Sequence, residues 1–248
     1  MSTGGTLLVT GGGRGIGAAT ALLAAQRGYA LCINYRRDAD AAERVAEQAR
    51  AQGVPALAFR ADVADEAQVG KLFRALDDAL PPLTALVNNA GIVDRQSRVE
   101  DMSATRLRRM FDVNVVASFL CAAEAVRRFR RTGTAGAIVN VSSVASRLGS
   151  PGEFVDYAAA KGAIDSFTVG LAREVADIGV RVNAVRPGLI RTDIHADSGE
   201  PGRADRLRPA IPAQRIGEPD EVARTILWLL SEEASYVTGA IVDVSGGR

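Results

Sequence analysis

TLLVTGGGRGIG, residues 6–17, joins a short apolar run to a glycine-rich turn that opens onto a helical pattern. A run this short, rich in Leu, Val and Thr, reads as a buried strand. The helical pattern that follows covers about 16–27. Between them, Gly11, Gly15 and Gly17 form a G-x-x-x-G-x-G turn. Glycines there allow a tight bend and close approach of a pyrophosphate to the backbone, and the helix N-terminus adds unpaired N–H groups. A glycine cluster alone serves equally well as a plain strand-to-helix turn. Its placement after the first strand and before the first helix favours a dinucleotide, with Arg14 and Ile16 inside the turn.

The same beat continues along the chain. Strand patterns fall at 30–35, 56–60, 83–88, 137–141, 181–186 and 240–244. Helical patterns fall at 38–52, 66–79, 104–131, 157–177 and 220–231. Strands that alternate with helices predict a parallel sheet covered on both faces, and strands that are short and nearly all apolar agree with that. The expectation is an α/β, Rossmann-like, doubly wound parallel sheet in a single domain over 1–248. No linker, composition shift or repeat divides the chain. The stretch from about 190 to 218, rich in Gly, Pro, Asp and Arg, breaks the beat. A connection this long reads as a lid over a binding site.

Composition sets bounds. Hydrophobic residues make up 47% and charged residues 24% of 248, and the formal net charge is +1. No global field points to nucleic acid or an anionic membrane. Cys32 and Cys121 lie in apolar segments without metal-ligand spacing, so two buried thiols and no metal are expected. The first residues, MSTGG, lack a secretory pattern, and no apolar run reaches membrane-spanning length. These features read as cytoplasmic.

Lysine occurs twice, at Lys71 and Lys161. Lys161 stands four residues after Tyr157 in VDYAAAK, and residues so spaced share a helix face. A neighbouring cation is expected to lower the phenol's pKa, fitting it to exchange a proton with a carbonyl or alcohol oxygen. At the end of the second strand, Tyr35 occupies the place where an NAD site carries an acid, and Arg36 follows. Arg36, with Arg14, matches a 2′-phosphate, which favours NADP(H). Asp38 nearby keeps NAD(H) possible.

Taken in order, these marks resemble the classical short-chain dehydrogenase/reductase family over essentially the whole chain. They are TGGGRGIG (10–17), Asp62–Val63, Asn88–Asn89–Ala90–Gly91, Asn114, Ser142–Ser143, Tyr157-x-x-x-Lys161, Pro187–Gly188 and the YVTG segment at 236–239. The resemblance implies a sheet of about seven strands and a reversible hydride transfer between a carbonyl and an alcohol. Asp62 and Val63 would meet the adenine, and Asn89, Ala90 and Gly91 would line its ribose. Ser143 would bond the substrate oxygen, and Tyr157 would be the acid or base. Lys161 would hold the nicotinamide ribose and lower the Tyr157 pKa. Asn114 would hold a relay water, or else merely bond a neighbouring strand's backbone. Residues 187–192 would wrap the nicotinamide, with Ile190 and Thr192 near the carboxamide. Ser143 and Tyr157 stand 14 apart, one more than is common in the family. The insertion falls within 147–156, at the mouth of the pocket, and leaves Ser142 as a rival.

Other residues have plainer readings. His195, the lone histidine, reads as a surface residue, and Trp228 as core or subunit contact. Arg127, Arg128, Arg130 and Arg131 close a helix, where cations offset the dipole. With Arg173 they could dock an acyl-carrier protein. Arg203, Arg206 and Arg208 read as a solvated face rather than a greeting for an anionic substrate. Two substrate classes therefore compete: 3-oxoacyl chains on a carrier protein, and sugars or small alcohols. A dinucleotide-sensing module without turnover is a third possibility. Family resemblance also implies a homo-oligomer, a tetramer, with the helices at 104–131 and 157–177 at one interface.

Overall fold

Alternation within single strands builds two separate cores. In β1 (Thr6–Val9), Leu7 and Val9 face one side of the sheet and Leu8 the other. β2 (Ala30–Tyr35) repeats this, sending Leu31 and Ile33 one way and Cys32 the other. The computed structural model describes residues 4–192, 200 and 202–248. Among them the remaining strands are β3 (Ala56–Arg60), β4 (Leu83–Asn88), β5 (Ala137–Val141), β6 (Arg181–Pro187) and β7 (Ile241–Val244). All pairings are parallel, in the order β3-β2-β1-β4-β5-β6-β7. The expected doubly wound sheet of seven strands is what forms.

Helices α1 (Gly15–Gln26) and α2 (Ala39–Ala51) cover the Leu7 face, where Ala21, Ala24 and Ala46 pack closely against the strands. Helix α3 (Glu66–Ala79) covers the Leu8 face with Leu72, Phe73 and Leu76. The pattern at 104–131 is not one helix. It divides into α4 (Ala104–Phe111), a π-helical turn (Asp112–Val116) and α5 (Ala117–Thr132). No proline marks the break; the π turn coincides with Asn114, whose side chain bonds outside the helix. Such turns gather at functional sites.

The second half completes both layers. A short α6 (Ala145–Leu148) precedes α7 (Val155–Glu174), which packs on the Leu8 face. Within 190–218, Ile190 bridges Gly217, and α8 (Arg203–Leu207) gives part of the segment helical form. Helix α9 (Pro219–Leu230) starts with proline in its first turn and a reciprocal Glu218–Glu221 capping box, then returns to the Leu7 face. His195 lies outside the described residues. Trp228 is 38% exposed, which excludes it from the core and leaves the subunit-contact expectation. Cys32 and Cys121 are free and buried, as expected. Among the described residues no helix is long and apolar enough to cross a membrane.

Strand order reverses between β1 and β4, whose neighbours run off in opposite directions. In open α/β sheets the crevice beyond the strand ends at such a reversal is the ligand site. The glycine turn and the Asn89–Gly91 segment both leave the sheet there.

Candidate active site

The glycine turn is built so tightly that side chains would block it. Gly11 and Gly15 have φ of 62° and 54°, the left-handed region that favours glycine. A Cβ on Gly17 would stand 2.5 Å from the Gly11 carbonyl oxygen. Two asparagines hold the loop. Buried Asn34 accepts from the Gly11 N–H (3.3 Å) and donates to Ala61 O (3.0 Å), tying the turn to the end of β3. Asn89 donates to Thr10 O (2.9 Å) and Gly11 O (3.0 Å), while its own N–H donates to Thr10 Oγ1 (3.0 Å). The Asn89 amide group is thus committed to shaping the turn. Asn34 bore no motif signal; a buried amide at the end of a strand beside a glycine turn was the available clue.

A long cleft runs over this turn. Its walls bring together the expected Gly11, Arg14, Gly15 and Ile16 with Tyr35 and Arg36 from β2, Asp62 and Val63 after β3, and Asn89, Ala90 and Gly91 after β4. Gly17 lies beneath, packed on Gly11. Arg36 Nε forms an ion pair with Asp62 Oδ2 at 2.8 Å, so the two residues assigned to adenine and phosphate touch each other. Asp38 accepts from the Ala41 N–H (2.9 Å) as the N-cap of α2, which gives its carboxylate a structural task. Arg37 and Arg109 also line the cleft and add to its basic character. The glycine-rich turn, the helix N-terminus and these arginines fit a dinucleotide with anionic phosphates.

A second cavity, of about 180 Å³, adjoins the cleft. Ile16, Asn89, Gly91, Val93 and Thr192 line both. Ser143, Tyr157, Lys161, Pro187, Gly188 and Ile190 converge on this cavity. The two serines separate cleanly. Ser142 is 2% exposed and donates to Lys161 O (3.1 Å), so its hydroxyl belongs to the scaffold. Ser143 accepts from the Ala145 N–H (3.1 Å) and hydrogen-bonds the Tyr157 phenol. Leu148, Ser150 and Phe154 place the inserted stretch on the cavity wall, where the sequence put it.

Helix α7 is fixed at several points. A buried chain runs from Asn88 to Asn140 (2.9 Å) and from Asn140 to Thr168 (2.9 Å), joining β4, β5 and α7. Lys161 Nζ donates to Val141 O at 2.7 Å. At the helix start, the fully buried Asp156 carboxylate accepts from the Tyr157 N–H (2.9 Å) and from Arg106 Nε (2.8 Å). Arg106 also donates to Arg95 O (2.7 Å), which ties α4 and the 92–98 loop to the residue before Tyr157.

The electrostatics correct one expectation. Burial pushes the Tyr157 phenol up to about 12, opposed only in part by the Ser143 hydrogen bond. Burial lowers the Lys161 ammonium to about 8, opposed by Asp165 one turn along α7. The ammonium lies 5.6 Å from the centre of the Tyr157 ring and is aimed at Val141 O, so it does not acidify the phenol in this geometry. Enclosure outweighs the neighbouring cation, and the site holds its proton firmly.

Asn114 is 1% exposed, and both N–H groups of its amide are used. It accepts from the Ile92 N–H (3.1 Å) and donates to Ile92 O (3.0 Å) and Met110 O (3.0 Å). Its side chain therefore clamps the segment after β4, the plainer of its two readings.

Two arginines of the cavity were misread or missed. Arg203, assigned to a solvated face, is 9% exposed and lines the cavity together with Arg248. Its pairing with Glu153, fifty residues away, has no local sequence signal. Conversely, the arginines closing α5 are engaged with acids. Arg128 is buried over the Phe73 ring and pairs with Asp77 (2.8 Å) and Glu124 (2.5 Å). Arg127 pairs with Glu124, Arg130 with Asp177 and Arg131 with Asp77.

Comparison with known proteins agrees with this arrangement. Residues 11–248 match a family model described as enoyl-(acyl carrier protein) reductase, of the adh_short_C2 type. The chain is 56% identical to the uncharacterized oxidoreductase YgfF of Escherichia coli, over 97% of this chain and 98% of that one. It is 39% identical to a 3-oxoacyl-[acyl-carrier-protein] reductase of Synechocystis, over 97% and 95%. A crystal structure of a short chain dehydrogenase from Burkholderia cenocepacia in complex with NADP superimposes with a TM-score of 0.91 at 33% identity, covering 98% of this chain and 97% of that one.

Proposed function

Because the chain belongs to the short-chain dehydrogenase/reductase family, we propose that it interconverts a small carbonyl compound and its alcohol with NADP(H), using Tyr157 as the proton donor and acceptor. The observation that carries this reading is the convergence of Ser143, Tyr157 and Lys161 in a cavity continuous with the glycine-turn cleft. When bound, the dinucleotide supplies or takes up the hydride. Gly11, Arg14, Gly15, Ile16 and Gly17 would hold its pyrophosphate, and Asp62, Val63, Asn89, Ala90 and Gly91 its adenosine. Tyr35, Arg36 and Arg14 favour a 2′-phosphate over free ribose hydroxyls. Pro187, Gly188, Ile190 and Thr192 would enclose the nicotinamide end.

In reduction, Ser143 Oγ and Tyr157 Oη donate hydrogen bonds to the substrate oxygen. As that oxygen becomes an alkoxide, the phenol proton passes to it, leaving a phenolate. A phenol raised to about 12 is fully protonated at neutral pH and so is loaded for this step. Lys161, lowered to about 8, is still cationic near neutrality, and its ammonium would stabilise the phenolate only by leaving Val141 O for the phenol oxygen. It would also hold the nicotinamide ribose. The Asn114 amide is engaged with Ile92, so a relay through this residue would run from its main-chain carbonyl in the π turn. The segment from 190 to 218 would act as the lid, and exposed Phe119, stacked on Phe167 at 3.8 Å, supports a subunit contact on α5 and α7.

A small substrate is favoured over a carrier-borne acyl chain because two of the α5 arginines that would dock an acidic carrier, Arg127 and Arg128, are engaged with Glu124 and Asp77. The test is a panel of aldehydes, ketones and oxo compounds followed by NADPH absorbance, with Tyr157→Phe as control. That variant is expected to lose at least about 100-fold in kcat. An unimpaired Tyr157→Phe enzyme would remove Tyr157 from the reaction.

A further inference from the structure

The cavity that receives the carbonyl carries more positive charge than carbonyl reduction requires. Arg203 and Arg248 both line it, beside Ser143 and Tyr157. Arg203 lies over the Phe154 ring, with its guanidinium carbon 5.0 Å from the ring centre. One of its terminal nitrogens meets Glu153, while its buried Nε has no hydrogen-bond partner among the described residues. Arg248 is held in place by its main-chain oxygen, which accepts from Ser245 Oγ (3.1 Å) and Arg147 Nη2 (3.4 Å). Its guanidinium has no hydrogen-bond or ion-pair partner among the described residues.

The nearby acids do not cancel this charge. Glu153 serves Arg203 and Arg206, and Glu200 serves Arg206 at 2.6 Å and Arg203 at 4.0 Å. Arg203 and Arg206 thus share two carboxylates, and Arg248 is a third cation with no acid of its own. Burial first, and Arg203 second, push the Arg248 guanidinium below its usual value, opposed by Glu153. Two cations facing one enclosed space repel each other unless an anion lies between them. Guanidinium pairs match a carboxylate in geometry as well as charge. Apolar Val144, Leu148 and Leu189 line the same space and suit a short carbon chain.

We propose that the substrate is an oxo acid, or the hydroxy acid in reverse, whose carboxylate sits against Arg203 and Arg248 while its carbonyl oxygen lies between Ser143 and Tyr157. This rests on the carbonyl–alcohol reading above. The test compares acetoacetate and levulinate with their methyl esters, using NADPH and the full chain. The parent enzyme is expected to favour at least one acid over its ester. In Arg248→Gln that preference is expected to fall about 10-fold or more in kcat/KM, the loss of one charged hydrogen bond. Equal use of acids and esters by the parent, or an unchanged preference in Arg248→Gln, overturns the proposal.

A second measurement does not depend on turnover. Glutarate, which has no reducible carbonyl, is expected to raise the melting temperature of the parent and to raise it less in Arg248→Gln. Turnover of esters without a glutarate effect refutes the carboxylate site alone. Glutarate stabilisation that Arg248→Gln reduces, with no carbonyl compound reduced, supports the anion site and refutes the catalytic reading. Arg203→Gln is the confirming variant; because Arg203 also packs on Phe154, Arg248→Gln decides the matter if it fails to fold.

Discussion

Replacing Lys161 with methionine is expected to make the protein more stable while disabling it. The ammonium is 4% exposed and lies in a site that lowers its pKa from 10.5 to about 8. At about 1.4 kcal/mol per factor of ten, keeping that charge at pH 7 costs on the order of 3 kcal/mol. Its hydrogen bond to Val141 O, 2.7 Å long, returns about 1.5 kcal/mol. Methionine has similar volume and no charge, so repacking costs little. The net gain at pH 7 is about 1–2 kcal/mol. For a domain of this size that is a rise of roughly 2–8 °C in Tm.

The gain has a definite pH course. The folded pKa lies below the unfolded one, so between about 8 and 10.5 the unfolded parent binds more protons than the folded parent. The parent therefore gains stability as pH rises through that window, and the advantage of Lys161→Met disappears over it. Urea unfolding of both proteins at equal concentration, at pH 7 and pH 10.5, reads the difference directly. A variant less stable than the parent at pH 7, or a gap equal at both pH values, would refute the burial argument.

Three further outcomes are expected. Alcohol oxidation needs the Tyr157 phenolate, so its rate should climb steadily from about pH 7 to pH 10, whereas carbonyl reduction keeps its proton donor throughout; an oxidation plateau near neutrality in initial-rate profiles would contradict a phenol held at about 12. Arg106→Ala leaves the Asp156 carboxylate buried and unpaired, which is expected to cost about 3–5 kcal/mol in urea unfolding, and a loss below about 1 kcal/mol would show that the pair is dispensable. Arg36→Ala is expected to weaken NADPH binding about 10-fold or more, with little change for NADH, and calorimetric titrations showing equal losses for both would remove Arg36 from the 2′-phosphate.

The fold was legible because its strands carry the simplest signal. The strand patterns at 30–35, 56–60, 83–88 and 137–141 coincide with β2, β3, β4 and β5; β2, β4 and β5 are interior strands covered on both faces and so are mostly apolar. The break at Asp112–Val116 was not legible. Its residues keep the helical pattern, and only the tertiary bonds of Asn114 accompany the change of winding. Ser142 stood as a rival to Ser143 in the sequence, and only the hydrogen bonds of the folded chain separate them, with Ser142 on Lys161 O and Ser143 beside Tyr157. The Tyr157 pKa was misjudged because sequence shows a neighbouring cation but not how deeply both groups are enclosed. Arg203 was misjudged for a related reason. A Gly-, Pro- and Arg-rich stretch reads as solvated until the fold brings Glu153 and Phe154 against it.

The partition between the cleft and the cavity is thin: Ile16, Gly91 and Thr192 face both chambers. A molecule filling the first becomes part of the lining of the second. Each reactant must then sense whether the other is present, and by thermodynamic reciprocity the help is equal in both directions. The protein thus has the architecture for ordered assembly, in which the larger reactant finishes the container that the smaller one enters.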